Sequence, residues 1–73
     1  MEKVAINTPF IKLDAFLKFS ALTGSGGEAK NVISDGLVSV NGETCFQRGR
    51  KLYPLDIISF CGADLMVIKD ENS

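Results

Sequence analysis

Apolar residues in the first third of the chain recur with a helical period. Between Ile11 and Leu22, Leu13, Phe16 and Leu17 stand at i, i+3 and i+4, and Ala21 extends the stripe. Lys12, Asp14 and Lys18 fall off it. This spacing predicts an amphipathic helix ending near Leu22, with Asp14 near its positive end. A second helix is predicted within "SGGEAKNVISDG", its buried stripe formed by Ala29, Val32 and Ile33. Ser25 with Glu28 three residues on fits a capping box, and Gly36 supplies the left-handed residue that often closes a helix. A connection this short makes the two helices packed neighbours.

Elsewhere the pattern changes to that of strands. "KVAIN" alternates, with Val4 and Ile6 on one face, and Thr8-Pro9 punctuates the chain after it. "LVSVNGETCF" predicts a hairpin, because Asn41 and Gly42 both tolerate the positive φ of a type I′ turn. A two-residue turn opposes Val40 to Glu43, Ser39 to Thr44 and Val38 to Cys45, which makes Cys45 a small core residue. "DIISF" and "LMVIK" predict two further strands around a turn at "CGAD", and the tail "DENS" is expected to fray. Strand, two helices and then several strands is the order of an α+β domain.

Composition narrows the function classes. With 73 residues and 45% hydrophobic content, the chain is one small globular domain, not a disordered segment. It has no histidine and two widely spaced cysteines, Cys45 and Cys61, so the usual zinc and non-haem iron ligand sets are missing. Neither a metal nor another cofactor is expected. General acid–base catalysis loses its commonest residue, and Asp14, Glu28, Asp35 and Asp56 all have structural readings. An enzyme is therefore not expected. No signal peptide or membrane-length apolar run is present, and the reading is a soluble cytoplasmic protein.

Net charge is −1, which does not announce a nucleic-acid binder. The distribution matters more. Four of the nine acids, Glu2, Asp64, Asp70 and Glu71, lie near the ends, which leaves the middle slightly basic. In "QRGRKLYPLD", Arg48, Arg50 and Lys51 fall within four positions, and Gly49 allows close approach of a partner backbone. Arginine grips phosphate bidentately, but a charged loop that blunts a sheet edge has the same composition. "TGSGG" resembles a phosphate loop at a helix N-terminus, yet it lacks the Lys-Ser/Thr ending of a nucleotide-binding loop.

The order of "KLDAFLKF", "SGGEAKNVISDGLVSVNGE" and "RGRKLYPLDII" resembles the RNA-binding domain named after small-subunit ribosomal protein S-four, over about residues 11–60. The resemblance implies a two-helix alpha-L motif on a small, mostly antiparallel sheet with the Asn-Gly hairpin. It further implies the compact bacterial type that stands alone. The expected partner is structured RNA, ribosomal or transfer, with the ribosome or a second protein as further partners. No membrane and no small-molecule substrate is expected. By position, Lys12, Leu13 and Asp14 match the start of the family's first helix. Ser25 to Lys30 match the start of its second, and Val40, Asn41 and Gly42 match its turn. Asp56 matches the acid of a late Gly-Asp turn. Gly26 stands where many members carry Arg, and Leu55 stands where the family usually has Gly.

The expected RNA-contacting set is Lys12, Ser25, Gly26, Gly27, Lys30, Asn31, Asn41, Arg48, Gly49, Arg50 and Lys51. Of the aromatics, Tyr53 is the best candidate for stacking, with packing under the basic loop as its alternative, so recognition of RNA shape rather than of an unstacked sequence is expected. A rival reading is a protein-interaction module that pairs a partner strand with the hairpin edge or with "LMVIK".

Overall fold

Two helices lie on one face of a five-stranded sheet, in a computed structural model that describes residues 1–70. The elements are β1 (Glu2–Ile6), β2 (Ile11–Lys12), α1 (Leu13–Phe19), α2 (Gly26–Ser34), β3 (Val38–Val40), β4 (Glu43–Thr44), β5 (Lys51–Leu52), β6 (Ile57–Phe60) and β7 (Ala63–Lys69). The sheet runs β1-β7-β6-β3-β4, and β2 pairs separately with β5 as a short antiparallel ribbon. All pairings in the sheet are antiparallel except that of β1 with β7. The expected tail Asp70–Ser73 lies, beyond Asp70, outside the described residues.

The core forms where the two periodicities meet. Leu13, Phe16 and Leu17 of α1 and Ala29 and Ile33 of α2 are fully buried, together with the inward residues Val38, Ile58 and Val67 of the sheet. The hairpin has the expected register, Val40 with Glu43 and Ser39 with Thr44. Asn41 and Gly42 take φ of 53° and 86°, as a type I′ turn requires. Cys61 and Gly62 repeat this between β6 and β7, with φ of 53° and 79°. Ala63 and Asp64, expected in the turn, are already strand residues.

The first helix is shorter than its apolar period predicts. At its start, Ile11 and Lys12 are extended and pair with Leu52 and Lys51. At its end, the N–H of Ala21 bonds the carbonyl of Lys18, and that of Leu22 bonds the carbonyl of Leu17. This is a Schellman closure, and it holds Ala21 at φ 63°, exposed rather than in the buried stripe. Helix α2 closes identically, through Gly36 to Ile33 and Leu37 to Val32, but with glycine at the left-handed position. The two ends differ in the residue carrying the positive φ, which is why only one was readable. Ala21→Gly relieves the left-handed alanine at some cost in unfolded-chain entropy, so a net gain of about 0.5–1 kcal/mol is expected. Thermal denaturation should show a rise of a few degrees, and a lower melting point would count against the strain.

A second expectation changes with the topology. The "LMVIK" strand, β7, is hydrogen-bonded to β1 on one side and β6 on the other. It is therefore not free to pair with a partner strand. The edges of the sheet are β1 and the two-residue β4.

Candidate nucleic-acid interface

Three chain segments meet around the first turn of α1. Lys12 is its N-cap, and its side chain makes no capping bond. The orphan N–H groups of Leu13 and Asp14 instead donate to the carbonyls of Arg50 (2.9 Å) and Arg48 (3.1 Å). The basic stretch is thus folded as a turn, closed by the N–H of Arg50 on the carbonyl of Gln47 at 3.1 Å, and fastened by its backbone to the helix start. Its side chains take no part in this fastening. Gly49 has no positive φ, and a methyl group there would meet nothing.

The other side of the same turn faces α2. Asp14, Ala15 and Lys18 line a shallow hollow with Gly26. Lys18 was absent from the residues expected to bind RNA. Its position off the apolar stripe of α1 was the available signal, but the hollow it shares with Gly26 is a tertiary feature. Gly26 and Lys30 are one turn apart and share a helix face, as do Gly27 and Asn31. Ser25 caps α2 by accepting from the N–H of Glu28 at 3.2 Å. The reciprocal bond of the expected capping box is shifted by one residue: Glu28 accepts from Gly24 at 3.3 Å rather than from Ser25. Thr23 is buried, and its N–H donates to the carbonyl of Leu17. "TGSGG" is accordingly a pinned helix–helix connection with a carboxylate beside it, which disfavours a mononucleotide phosphate there. The N–H groups of Gly26 and Gly27, in the first turn of α2, have no partner among the described residues.

The third part is the ribbon, where Lys12 faces Lys51 directly. Like charges in such a position repel. The Lys51 ammonium lies 4.9 Å from the centre of the Phe10 ring, a cation–π distance. Lys12, Lys18, Lys30, Lys51, Arg48 and Arg50 form no ion pair among the described residues. These six of the chain's eight basic residues lie on the three segments.

Asn41 is placed differently from the others. Its amide nitrogen donates to Asp56 Oδ1 at 3.1 Å, and its oxygen accepts from the N–H of Ile57 at 2.9 Å. Asp56 Oδ2 in turn accepts from the N–H of Tyr53 at 2.9 Å. Both polar atoms of Asn41 thus serve the fold, tying the hairpin turn to the start of β6. Pro54 and Leu55 occupy the centre of a turn closed by Asp56 N–H on the Tyr53 carbonyl at 3.0 Å. Leu55 adopts φ 82°, the value a type II turn demands of its third residue. The glycine-shaped turn is therefore kept without the glycine.

No cluster of three His, Cys, Asp or Glu side chains occurs among the described residues, so none of these groups forms a metal centre there. Among the same residues, no helix is long and apolar enough to cross a membrane.

Comparison with known proteins adds the family. Residues 4–68 match the S4 domain. The chain is 42% identical over 59 residues to the probable ribosome maturation protein RlbA of Bacillus subtilis (strain 168), covering 81% of this chain and 83% of that one. The solution structure of YbcJ from E. coli, reported to reveal an αL motif involved in RNA binding, superposes with a TM-score of 0.72 at 28% identity, over 93% of this chain and 87% of that one. The fold also matches ribosomal protein S4e of Thermoplasma acidophilum, with a TM-score of 0.68 at 21% identity over 90% of this chain. This chain spans 35% of that protein's length.

Proposed function

The chain belongs to the S4 domain family, and from that premise we propose that it is a small, non-enzymatic RNA-binding protein. It grips the backbone of structured RNA in ribosome-related work in the cytoplasm. Ribosomal RNA is the favoured target over transfer RNA, because the 42% identical relative is a probable ribosome maturation protein. The observation that carries this reading is the meeting of three basic segments at the first turn of α1, with their cations unpaired. Lys12, Lys30, Arg48, Arg50 and Lys51 hold phosphates, joined by Lys18. The free N–H groups of Gly26 and Gly27 assist, and Gly49 lets the RNA backbone come close. Ser25 keeps α2 in place, Asn31 offers an amide to a 2′-hydroxyl, and Asn41 acts through the turn it fixes.

The test is a titration against structured ribosomal RNA at two salt concentrations. With these six cations on phosphates, log K should fall against log salt with a slope of roughly −4 to −5. A slope near zero removes the electrostatic interface. The same titration should show a gain for Gly26→Arg. A side chain at Gly26 meets nothing within 4 Å, and one added phosphate contact strengthens binding by roughly five- to eightfold at about 0.1 M salt. Unchanged affinity would put Gly26 outside the contact area.

A further inference from the structure

The ribbon of β2 and β5 presents more than charge. In an antiparallel pair, residues directly opposite share a face. Lys12 lies opposite Lys51, while Leu52 and Ile11 occupy the other face, Leu52 fully buried and Ile11 packed against the core. Continuing the register by one residue sets Phe10 across from Tyr53. Their ring centres are 6.0 Å apart, with the planes inclined at 48°. Two aromatic rings and two ammonium groups therefore share one small outward face.

Tyr53 is 49% exposed, although its backbone is held by Asp56. Phe10 is half-buried, and its carbonyl accepts from the Thr8 hydroxyl at 2.7 Å. Lys51 covers the Phe10 ring, which leaves Tyr53 as the open surface. An exposed aromatic beside two cations that form no ion pair among the described residues has the composition of a nucleobase platform: the ring stacks the base, and the cations meet the adjoining phosphates.

We propose that Tyr53, buttressed by Phe10, stacks an unpaired nucleobase of the bound RNA, with Lys12 and Lys51 on its flanking phosphates. This rests on the RNA-binding reading and deepens it. Shape and charge alone do not distinguish a paired from a bulged strand; the Tyr53 platform does. The protein then selects structured RNA that carries an extruded nucleotide next to a helix.

Two probes test this with the full chain: an RNA hairpin with one bulged 2-aminopurine, and the same hairpin fully paired. The bulged hairpin should bind about tenfold more tightly, and its fluorescence should fall on binding. Tyr53→Leu, which keeps apolar bulk but removes the π face, should weaken the bulged complex by about five- to thirtyfold. It should abolish the quenching and leave the paired complex and its salt slope unchanged. Tyr53→Phe should restore both affinity and quenching. Equal affinity of the parent for the two hairpins overturns the platform while leaving the phosphate interface standing. Equal loss by Tyr53→Leu on both hairpins overturns it as well, since that marks a purely structural tyrosine. Failure of the parent to bind either hairpin overturns the RNA-binding reading along with it.

Discussion

Replacing Arg48, Arg50 and Lys51 together by alanine should cost about two orders of magnitude in affinity for structured RNA at about 0.1 M salt. Each neutralised phosphate contributes a slope of roughly 0.7–0.9 in log K against log salt, which at that concentration is about five- to eightfold. Three such contacts multiply, and the salt slope should fall from roughly −4 to −5 to roughly −2 to −3, the value left by Lys12, Lys18 and Lys30. The prediction is sharp because the segment's structural role is carried by other atoms. The carbonyls of Arg48 and Arg50 cap α1, and alanine has the same carbonyls. Circular dichroism should therefore report a folded variant whose melting point falls by only a few degrees. A variant that stays folded and binds with the parent's affinity and slope would place the interface elsewhere on the molecule.

Asp56→Ala should be the most damaging change among the polar contacts, at about 2 kcal/mol. It removes two bonds to one carboxylate, from the Asn41 amide and from the Tyr53 N–H. Hydrogen bonds to a charged group are worth about 1.5–3 kcal/mol, reduced here because the site is partly open to water. In a domain of this size the melting point should drop by roughly 10 °C. A reciprocal exchange isolates the mechanism. Asp56→Asn alone sets one amide against the Asn41 amide, and Asn41→Asp alone sets two carboxylates face to face. The double variant N41D/D56N restores every bond with its polarity inverted, because the new carboxylate accepts from both Ile57 and the new amide. Chemical denaturation should show each single variant destabilised and the pair recovering at least 1 kcal/mol beyond additivity. Simple additivity would mean that the latch contributes nothing.

What the sequence made legible was local. Ser25 as the N-cap of α2, Gly36 and Asn41-Gly42 each announce a backbone conformation within a few residues, and each stands where it was expected, while the reciprocal bond of Glu28 goes to Gly24 instead of Ser25. The same logic explains the misses. Ala21 and Leu55 adopt positive φ without being glycine or asparagine, so the end of α1 and the type II shape of the turn after Pro54 carried no glycine signal, whereas the turn at Cys61-Gly62 stands where it was expected. The β2–β5 ribbon was invisible for another reason, because two residues per strand are too few for a period. Its absence from the sequence reading hid the pairing of Lys12 with Lys51 and the nearness of Phe10 to Tyr53. Lys18 was missed because the hollow it lines with Gly26 exists only through the packing of α1 on α2. The charge cluster at Arg48–Lys51 was legible as composition. Its attachment to the start of α1 was not, because backbone carbonyls make that bond and any sequence supplies them.

The parallel pairing of β1 with β7 also sets a timetable for folding. Residues Glu2–Ile6 find their register only against Leu65–Lys69, some sixty residues further along. Helices and hairpins close within microseconds of becoming available, but contacts at this sequence separation come late. During synthesis the first strand emerges earliest and is satisfied last. Val4 and Ile6 cannot take their places in the sheet before β7 has been made. The sheet is complete only once β7 gives β1 its register.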